Sequence, residues 1–490
     1  MEFNKTRKFL IAIFFVILLS RLYFIYQTPY LENDGYFVQR YVQNIMDTSK
    51  PIFYDTLSYN GRESLYSPIY YYILSFFGML LGIETALKLI PSIFISSLVF
   101  IVYGLSKKIN NNNNLSLFIA LMSGFVPILF VETLINASIY TLVIPLTFYL
   151  LYLFIDIDKD KHSSKFVFFS LLLAAIHPSS MLFSLGLITY YLLSLSESSK
   201  ISNLKNELII FNVFSTFFIQ FIIYKKAFLE YGLGVIWNNV PLQILSSYFD
   251  LSLLTLIYQV GALSLMFGLW GLITGIIKKR DKLLLFGGFI LSILLLLWLR
   301  LIDSRIGLSF LSIALVVAST VALNDFSNYI QKTKISSYGI AFLIIIFLLL
   351  TTSLVVPSYY LASQRIDKDV PSAYDILVLD WVNKNSLPDV TILAPLGKGH
   401  IVTAVAGKRN VMDNNFLFAP DSSQRYEDIN NIYSTKSETE ALKLIQKYNI
   451  DYIFIPIETE LEYGKVGWID DTNCFEGIFF GTPKVYKVLC

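Results

Sequence analysis

The feature that most constrains this chain is how its apolar residues are grouped. A helix needs about 20 mainly apolar residues to cross a bilayer. Eleven segments of the 490 residues are read as spans: Phe9–Tyr26, Leu89–Leu105, Leu115–Val131, Ile139–Ile155, Phe166–Ile176, Met181–Leu195, Glu207–Tyr224, Ser252–Ile277, Leu283–Leu299, Ile306–Ala322 and Tyr338–Val356. Phe166–Ile176 is short and ends at His177-Pro178, where proline stops or kinks a helix. The first run has no small-residue cleavage site and Arg21 interrupts its end, so it reads as a retained helix rather than a signal peptide. Only 15% of residues are charged, against roughly 25% in a soluble domain. That excludes an ordinary soluble enzyme, a disordered tail and a fibrous protein. A net charge of +2 gives no general attraction to nucleic acid, and two cysteines cannot build a disulfide scaffold or a cysteine metal cluster.

Pro68–Gly82 is apolar but short, which suits a re-entrant or interfacial segment as well as a span. The positive-inside rule arbitrates. If this segment does not cross, the inside loops around Lys5–Lys8, Lys107–Lys108, Lys159–Lys165, Lys200–Lys205, Lys278–Lys282 and Lys332–Lys334 carry sixteen Lys and Arg. The outside loops after it then carry five: Lys88, Lys225, Lys226, Arg300 and Arg305. The expectation is a multi-pass protein of the cell membrane with its N-terminus in the cytoplasm. Residues 1–356 form the transmembrane domain, with a first external loop at 27–67, and 357–490 form an extracytoplasmic domain. In that tail Ala373–Asn385 and Glu438–Tyr448 read as helices, and Val390–Ala394 and Asp451–Pro456 as strands, an alternation that predicts a small α/β fold. Cys474 and Cys490 both fall there, bridged or unpaired. No internal repeat or pair of broken helices is visible, which sets a transporter aside.

The first external loop opens Tyr30-Leu31-Glu32-Asn33-Asp34-Gly35-Tyr36-Phe37-Val38-Gln39-Arg40. Two carboxylates and an amide within three residues can hold a hard divalent cation such as Mg or Mn, or one carboxylate can act as a general base. Arg40 and Arg21 offer guanidinium groups for a phosphate. Ionisable groups at a membrane edge are functional candidates by default. Each has a plainer reading beside it. Arg21 can snorkel to the headgroups, and His177 can cap a short helix. Arg300, Asp303 and Arg305 can pair locally with headgroups. Glu132 and Asn136 can form a solvated turn.

The stretch Asp34-Gly-Tyr-Phe-Val-Gln-Arg40 resembles the acidic motif in the first external loop of oligosaccharyltransferase catalytic subunits. More broadly it resembles that of the GT-C superfamily of polyprenyl-phosphate-dependent glycosyltransferases. Tyr66-Ser67-Pro68-Ile69-Tyr70 is similar to the proline-aromatic stretch that closes this loop in related sugar transferases. His177-Pro178 sits at an outer helix end, where GT-C proteins often place a polar residue, and Arg300 and Arg305 open a late helix, as an arginine does in oligosaccharyltransferases. Trp381–Phe416 resembles the start of their C-terminal domain. One departure is pointed. Where oligosaccharyltransferases carry Trp-Trp-Asp-Tyr-Gly, the sequon-recognising motif, this chain has Ala394-Pro-Leu-Gly-Lys-Gly399.

The resemblance implies a glycosyltransferase whose donor is a polyprenyl-phosphate-linked sugar, with its tail in membrane lipid, and whose acceptor arrives from outside. It argues against transfer to an asparagine sequon. Asp34 and Glu32 are then the catalytic candidates, with Asp34 as base or metal ligand. Arg40, His177, Arg300 and Arg305 are the candidates for the donor phosphate, with His177 also a candidate second metal ligand. A non-catalytic relative of the same fold is the alternative.

Overall fold

The computed structural model describes residues 2–160, 162–247, 252–278, 280–332, 339–479, 481 and 483–490. Lys161, Lys279 and Lys334 of the basic-loop count and Tyr338 at the start of the last expected span lie outside them. The chain forms two compact units: one of Met1–Pro29, Glu84–Ile223 and Tyr248–Asp367, the other of Tyr30–Ile83, Tyr224–Ser247 and Lys368–Cys490.

The first unit is helical. Seven helices among the described residues are long and apolar enough to cross a membrane, including Lys5–Ile25, Ile83–Ile109, Asp281–Trp298 and Ser304–Lys332. A helix satisfies all its backbone groups internally, as the hydrocarbon interior demands. Ser304–Lys332 is the centre, with 94% of its apolar window buried, whereas Lys5–Ile25 is peripheral at 28%. Small residues explain how close neighbours approach it. A Cβ at Gly271 would sit 2.1 Å from the carbonyl oxygen of Ala318.

Two expected spans are not straight. Ser252–Ile277 is a bent pair, Leu253–Val260 and Ala262–Ile277, turning 84° at Gly261, whose φ of +90° only glycine adopts readily. Leu115–Val131 is two helices, Asn113–Gly124 and Pro127–Glu132, because Pro127 starts a helix but cannot continue one. Tyr140–Ile155 and Ser163–Ile176 are shorter apolar helices.

The second unit joins the first external loop to the chain's last part. Ile69–Leu81, the ambiguous apolar run, is a 13-residue helix. At about 1.5 Å per residue it is about 20 Å long, short of a 30 Å hydrocarbon layer. It packs on helix Asn33–Thr48, where the Ser75 hydroxyl donates to the Val42 carbonyl at 3.2 Å. Beyond that helix lies a two-stranded hairpin, β1 (Tyr54–Asp55) and β2 (Arg62–Glu63). The tail holds a five-stranded sheet: β3 (Thr391–Leu393), β4 (Arg409–Asn410), β5 (Tyr452–Ile455), β6 (Phe475–Phe479) and β7 (Lys484–Val488), in the order β4-β3-β5-β7-β6. β4, β3 and β5 are parallel, and β7 and β6 add on antiparallel. Every residue of β3 and β5 is buried, which is why both read as unbroken apolar runs. Helix Ala373–Asn385 starts at a capping box, Ser372 and Asp375 each closing on the other's backbone. Cys474 and Cys490 form a disulfide, Cα atoms 4.9 Å apart. The expected elements of the tail are present. Helix Ser422–Ser434 and strands β4, β6 and β7 are additions that the sequence pattern did not reveal.

Candidate active site

Asp34 lies in the first turn of helix Asn33–Thr48, with Glu32 as N-cap in extended backbone. A carboxylate is favoured there by the unsatisfied N–H groups and the helix dipole. Asp34 is exposed, while Glu32 and Asn33 are buried. The Asn33 side-chain oxygen accepts the backbone N–H of His400 at 3.1 Å, so the start of this helix is fixed by a residue 367 positions away. Arg40, six residues on, is ion-paired with Asp55. Asp55 also accepts the N–H groups of Leu57 and Ser58 at 3.1 and 3.2 Å, which shapes the turn into the hairpin.

His400 belongs to a buried polar cluster centred on Asp413. The Ser58 hydroxyl donates to Asp413 Oδ2 at 2.5 Å, the Asn410 amide at 3.2 Å and the Asn415 backbone N–H to Oδ1 at 2.9 Å. Arg62 Nη2 stands 3.5 Å from Asp413 Oδ1, and its other nitrogens donate to Ser58 Oγ and to the carbonyls of Asn415 and Leu417. Tyr59 donates its backbone N–H to Asn410 Oδ1 and its hydroxyl to the Asp413 carbonyl. Burial opposes the charge on Asp413. His400, the Arg62 guanidinium, the Ser58 hydroxyl and the Asn415 amide outweigh it and hold the carboxyl down at about 2. Burial also keeps His400 below the usual imidazole value, although Asp413 and Asp34 pull the other way. His400 Nδ1 is 3.7 Å from Asp413 Oδ2, an ion pair only when the ring is protonated. At neutral pH, therefore, Arg62 is the charge partner of Asp413.

The remaining candidates belong to the helical unit. His177 ends helix Ser163–Ile176; its Nδ1 accepts the backbone N–H of Ser179 at 3.1 Å at the start of the next helix. Its ring meets Tyr140 edge-on at 4.9 Å. Arg300 is exposed and takes a left-handed backbone, φ 57°, just past helix Asp281–Trp298. Arg305 Nη1 is 3.6 Å from Glu132 Oε1, and Arg365 Nη1 approaches the same oxygen at 3.2 Å. Glu132 is thus no solvated turn residue, because two guanidiniums offset its burial. Arg21 does not snorkel either: it is 1% exposed.

Among the described residues, three potential metal ligands gather only at Glu438, Asp471 and Cys474, within 4.8 Å of one another. The Cys474 sulfur is committed to the disulfide, so that group offers no thiolate and does not fit a metal.

No protein-family model matches the chain, and no curated protein matches it in sequence. Its structure does match. The apo oligosaccharyltransferase of Archaeoglobus fulgidus superposes with a TM-score of 0.68 at 12% identity, over 98% of this chain and 74% of the other. The same organism's AglB, with an inhibitory peptide and a dolichol-phosphate, gives 0.65 at 13%, over 96% and 72%. ArnT from Cupriavidus metallidurans, bound to undecaprenyl phosphate, gives 0.58 at 11%, over 97% of both chains. The fold is the GT-C fold.

On this scaffold, the stretch that departs from the oligosaccharyltransferase motif is buried at Ala394, Lys398 and Gly399 and reaches the surface at Gly397. Lys398 is buried and held by Glu458 at 3.1 Å and Asp375 at 3.8 Å. The sequence pattern did not single out Arg62, His400, Asn410, Asp413 or Arg365. Their only signal was the cost of burying them, which is invisible until burial is known.

Proposed function

We propose that this chain is a glycosyltransferase that moves a sugar from a polyprenyl-phosphate donor to an acceptor on the outer face of the membrane, with its N-terminus cytoplasmic and its tail domain extracytoplasmic. The observation that carries the reading is the likeness, along nearly the whole chain, to GT-C enzymes solved with dolichol-phosphate and with undecaprenyl phosphate. Asp34 supports it, as an exposed carboxylate on a helix start that is fixed from within its own unit.

The acceptor oxygen bonds to the anomeric carbon while the bond from that carbon to the phosphate oxygen breaks. The electron pair leaves with the phosphate, and the acceptor proton passes to Asp34. This single displacement inverts the anomeric centre. Glu32 adds a second carboxylate behind Asp34. Arg300 and Arg305 are the proposed phosphate holders. His177 suits the same role, since its Nδ1 already accepts an N–H, so the neutral ring carries its proton on Nε2 and donates it to a phosphate oxygen. That pattern favours the phosphate role of His177 over the metal role. Arg40, paired with Asp55, holds the loop rather than the donor. Asp34 offers one carboxylate to a divalent cation such as Mg or Mn, but no group of three ligands gathers around it among the described residues, so no step is routed through a metal.

The test is sugar transfer by the purified protein from lipid-linked donors, wild type against Asp34→Asn. The expected loss is at least about 100-fold, the usual weight of a general base. Undiminished transfer by the variant would leave the non-catalytic reading. A second reading, protein N-glycosylation, draws on the 0.68 superposition with an oligosaccharyltransferase, and Ala394–Gly399 stands against it. Glycan transfer to an Asn-x-Thr peptide decides between the two.

A further inference from the structure

A polar cavity lies in the helical unit, apart from the residues of the proposed reaction. Its volume is ≈ 220 Å³, room for roughly fifteen bodies the size of a water molecule. Its charged lining is Asp156, Asp158, Lys159, Lys205, Asp281 and Lys282. Three helices long and apolar enough to cross a membrane bring residues to it: Ser179–Ser196 through Tyr190, Asn203–Tyr231 through Lys205 and Asp281–Trp298 through Lys282. His177 stands before the first of these helices and Arg300 after the last, whereas the cavity is at their other ends. At about 1.5 Å per residue, the length of helix Asp281–Trp298 puts about 27 Å between Lys282 and Arg300.

Part of this charge is already spent. Lys282 Nζ is 3.0 Å from Asp156 Oδ2 and donates to the Lys108 carbonyl at 2.7 Å. Two lysines and two aspartates remain. Lys205 is half-buried; its Nζ donates to the Ile155 carbonyl at 3.3 Å and stands 5.7 Å over the Phe154 ring. That uses one of its three N–H bonds, and no carboxylate among the described residues pairs with it. The carboxylates of Asp158, Asp156 and Asp281 all lie close enough to favour its charge. Asp158 accepts the Ser202 hydroxyl through Oδ1 at 2.7 Å, which leaves it a second oxygen. Lys159 and Asp281 are exposed, so the cavity is reached from solvent. A bare phosphate would meet two carboxylates here, and a bare cation two ammonium groups. A ligand that carries both charges meets an opposite partner for each.

We propose that this cavity binds a phosphoethanolamine group, as carried by the headgroup of phosphatidylethanolamine. Lys205 and Lys159 hold the phosphate, and Asp281 and Asp158 accept hydrogen bonds from the ammonium. The cavity lies where three spanning helices end, at the level of lipid headgroups, which makes a membrane lipid the source. The site is independent of the proposed transfer reaction and needs no lipid-linked sugar.

The experiment follows melting of the full-length protein in detergent with added phosphatidylethanolamine, phosphatidylglycerol or phosphatidylcholine of equal chain length. Phosphatidylethanolamine is expected to raise the melting temperature by several degrees over the other two. Phosphatidylglycerol lacks the ammonium, and the methylated ammonium of phosphatidylcholine has no N–H to donate. Asp281 is exposed, so Asp281→Asn should keep the fold. It should raise the half-saturating phosphatidylethanolamine concentration about tenfold, the weight of one hydrogen bond to a charged group. Lys205→Gln should abolish the response; where that variant fails to fold, Asp281→Asn decides. Glycerophosphoethanolamine, the same headgroup without acyl chains, should protect only at far higher concentration. Protection at equal concentration would overturn the lipid source and assign the site to a soluble carrier of the same group. Either of the other lipids matching phosphatidylethanolamine would overturn the site. So would a response that Asp281→Asn leaves unchanged.

Discussion

Each compact unit buries an arginine, and the two are satisfied in different ways. Arg62, in the unit that holds the first loop and the tail, has every guanidinium nitrogen engaged and a carboxylate beside it. Arg21, in the helical unit, bonds two carbonyls and a hydroxyl and keeps one donor unspent beside a cavity. A saturated buried cluster is a joint, because removing one member strands the others. An incomplete one leaves a buried donor without a partner. The same distinction separates Asp413, closed off by five partners, from Asp34, which ends at the surface.

The sharpest break in this comparison sets Asp34→Asn against Asp413→Ala. The first should cost transfer about 10²- to 10⁴-fold, because it removes the base, and should cost stability no more than the about 0.3–1 kcal/mol of a carboxylate at a helix start. The second should destabilise the second unit by about 3–5 kcal/mol, since it leaves the Arg62 charge buried without its carboxylate. Measured by thermal melting, Arg62→Met combined with Asp413→Leu should be less damaging than the sum of the single changes, as removal of both charges also removes the stranded one. Asp413→Ala melting like wild type would show that the cluster is not the joint.

A smaller effect is expected from reduction of the Cys474–Cys490 disulfide, which closes a separation of 16 residues. A loop of that length contributes about 3 kcal/mol. The loss should be confined to the β6–β7 end of the sheet, read as faster amide exchange there in reductant while Ser58, Tyr59 and Asn410 stay protected.

What could be read from the chain divides along the same line. The helical character of the apolar runs and the Ala373–Asn385 helix were legible, since that helix carries its own cap in Ser372 and Asp375; the number of spans was not, as seven described helices, or eight with the bent pair, are long and apolar enough to cross against eleven expected. The buried strands Thr391–Leu393 and Tyr452–Ile455 were legible for a similar reason: an unbroken apolar run between polar segments is a local signal. The joint was not. Ser58 and Asp413 are 355 residues apart, and nothing near either one marks it as paired. Arg40 shows the same limit from another side. Its place after Asp34 suggested a phosphate ligand, while its ion pair with Asp55, fifteen residues on, depends on the hairpin turn that brings them together. The break between Gly124 and Pro127 and the bend at Gly261 were hidden because hydropathy continues through both.

The least effect, and the one that most finely separates the two clusters, is the response to acid. Burial lowers the pKa of His400 below the ordinary histidine value of about 6.5. The unfolded chain therefore binds a proton in a range where the folded one does not, and the stability this contributes is complete above about 6.5 and falls away as the pH drops below it. Asp413, held at about 2, contributes in the same direction at lower pH: its share is complete above the ordinary carboxylate range and is lost as the pH falls toward about 2. Two steps of acid destabilisation should thus appear, the upper assigned to His400 and the lower to Asp413. Melting followed from pH 8 to pH 5 should fall in the wild type and stay flatter in His400→Gln, which cannot take up the proton. A wild type whose melting is flat from pH 8 to pH 5 would show that burial does not hold the His400 ring below its ordinary value.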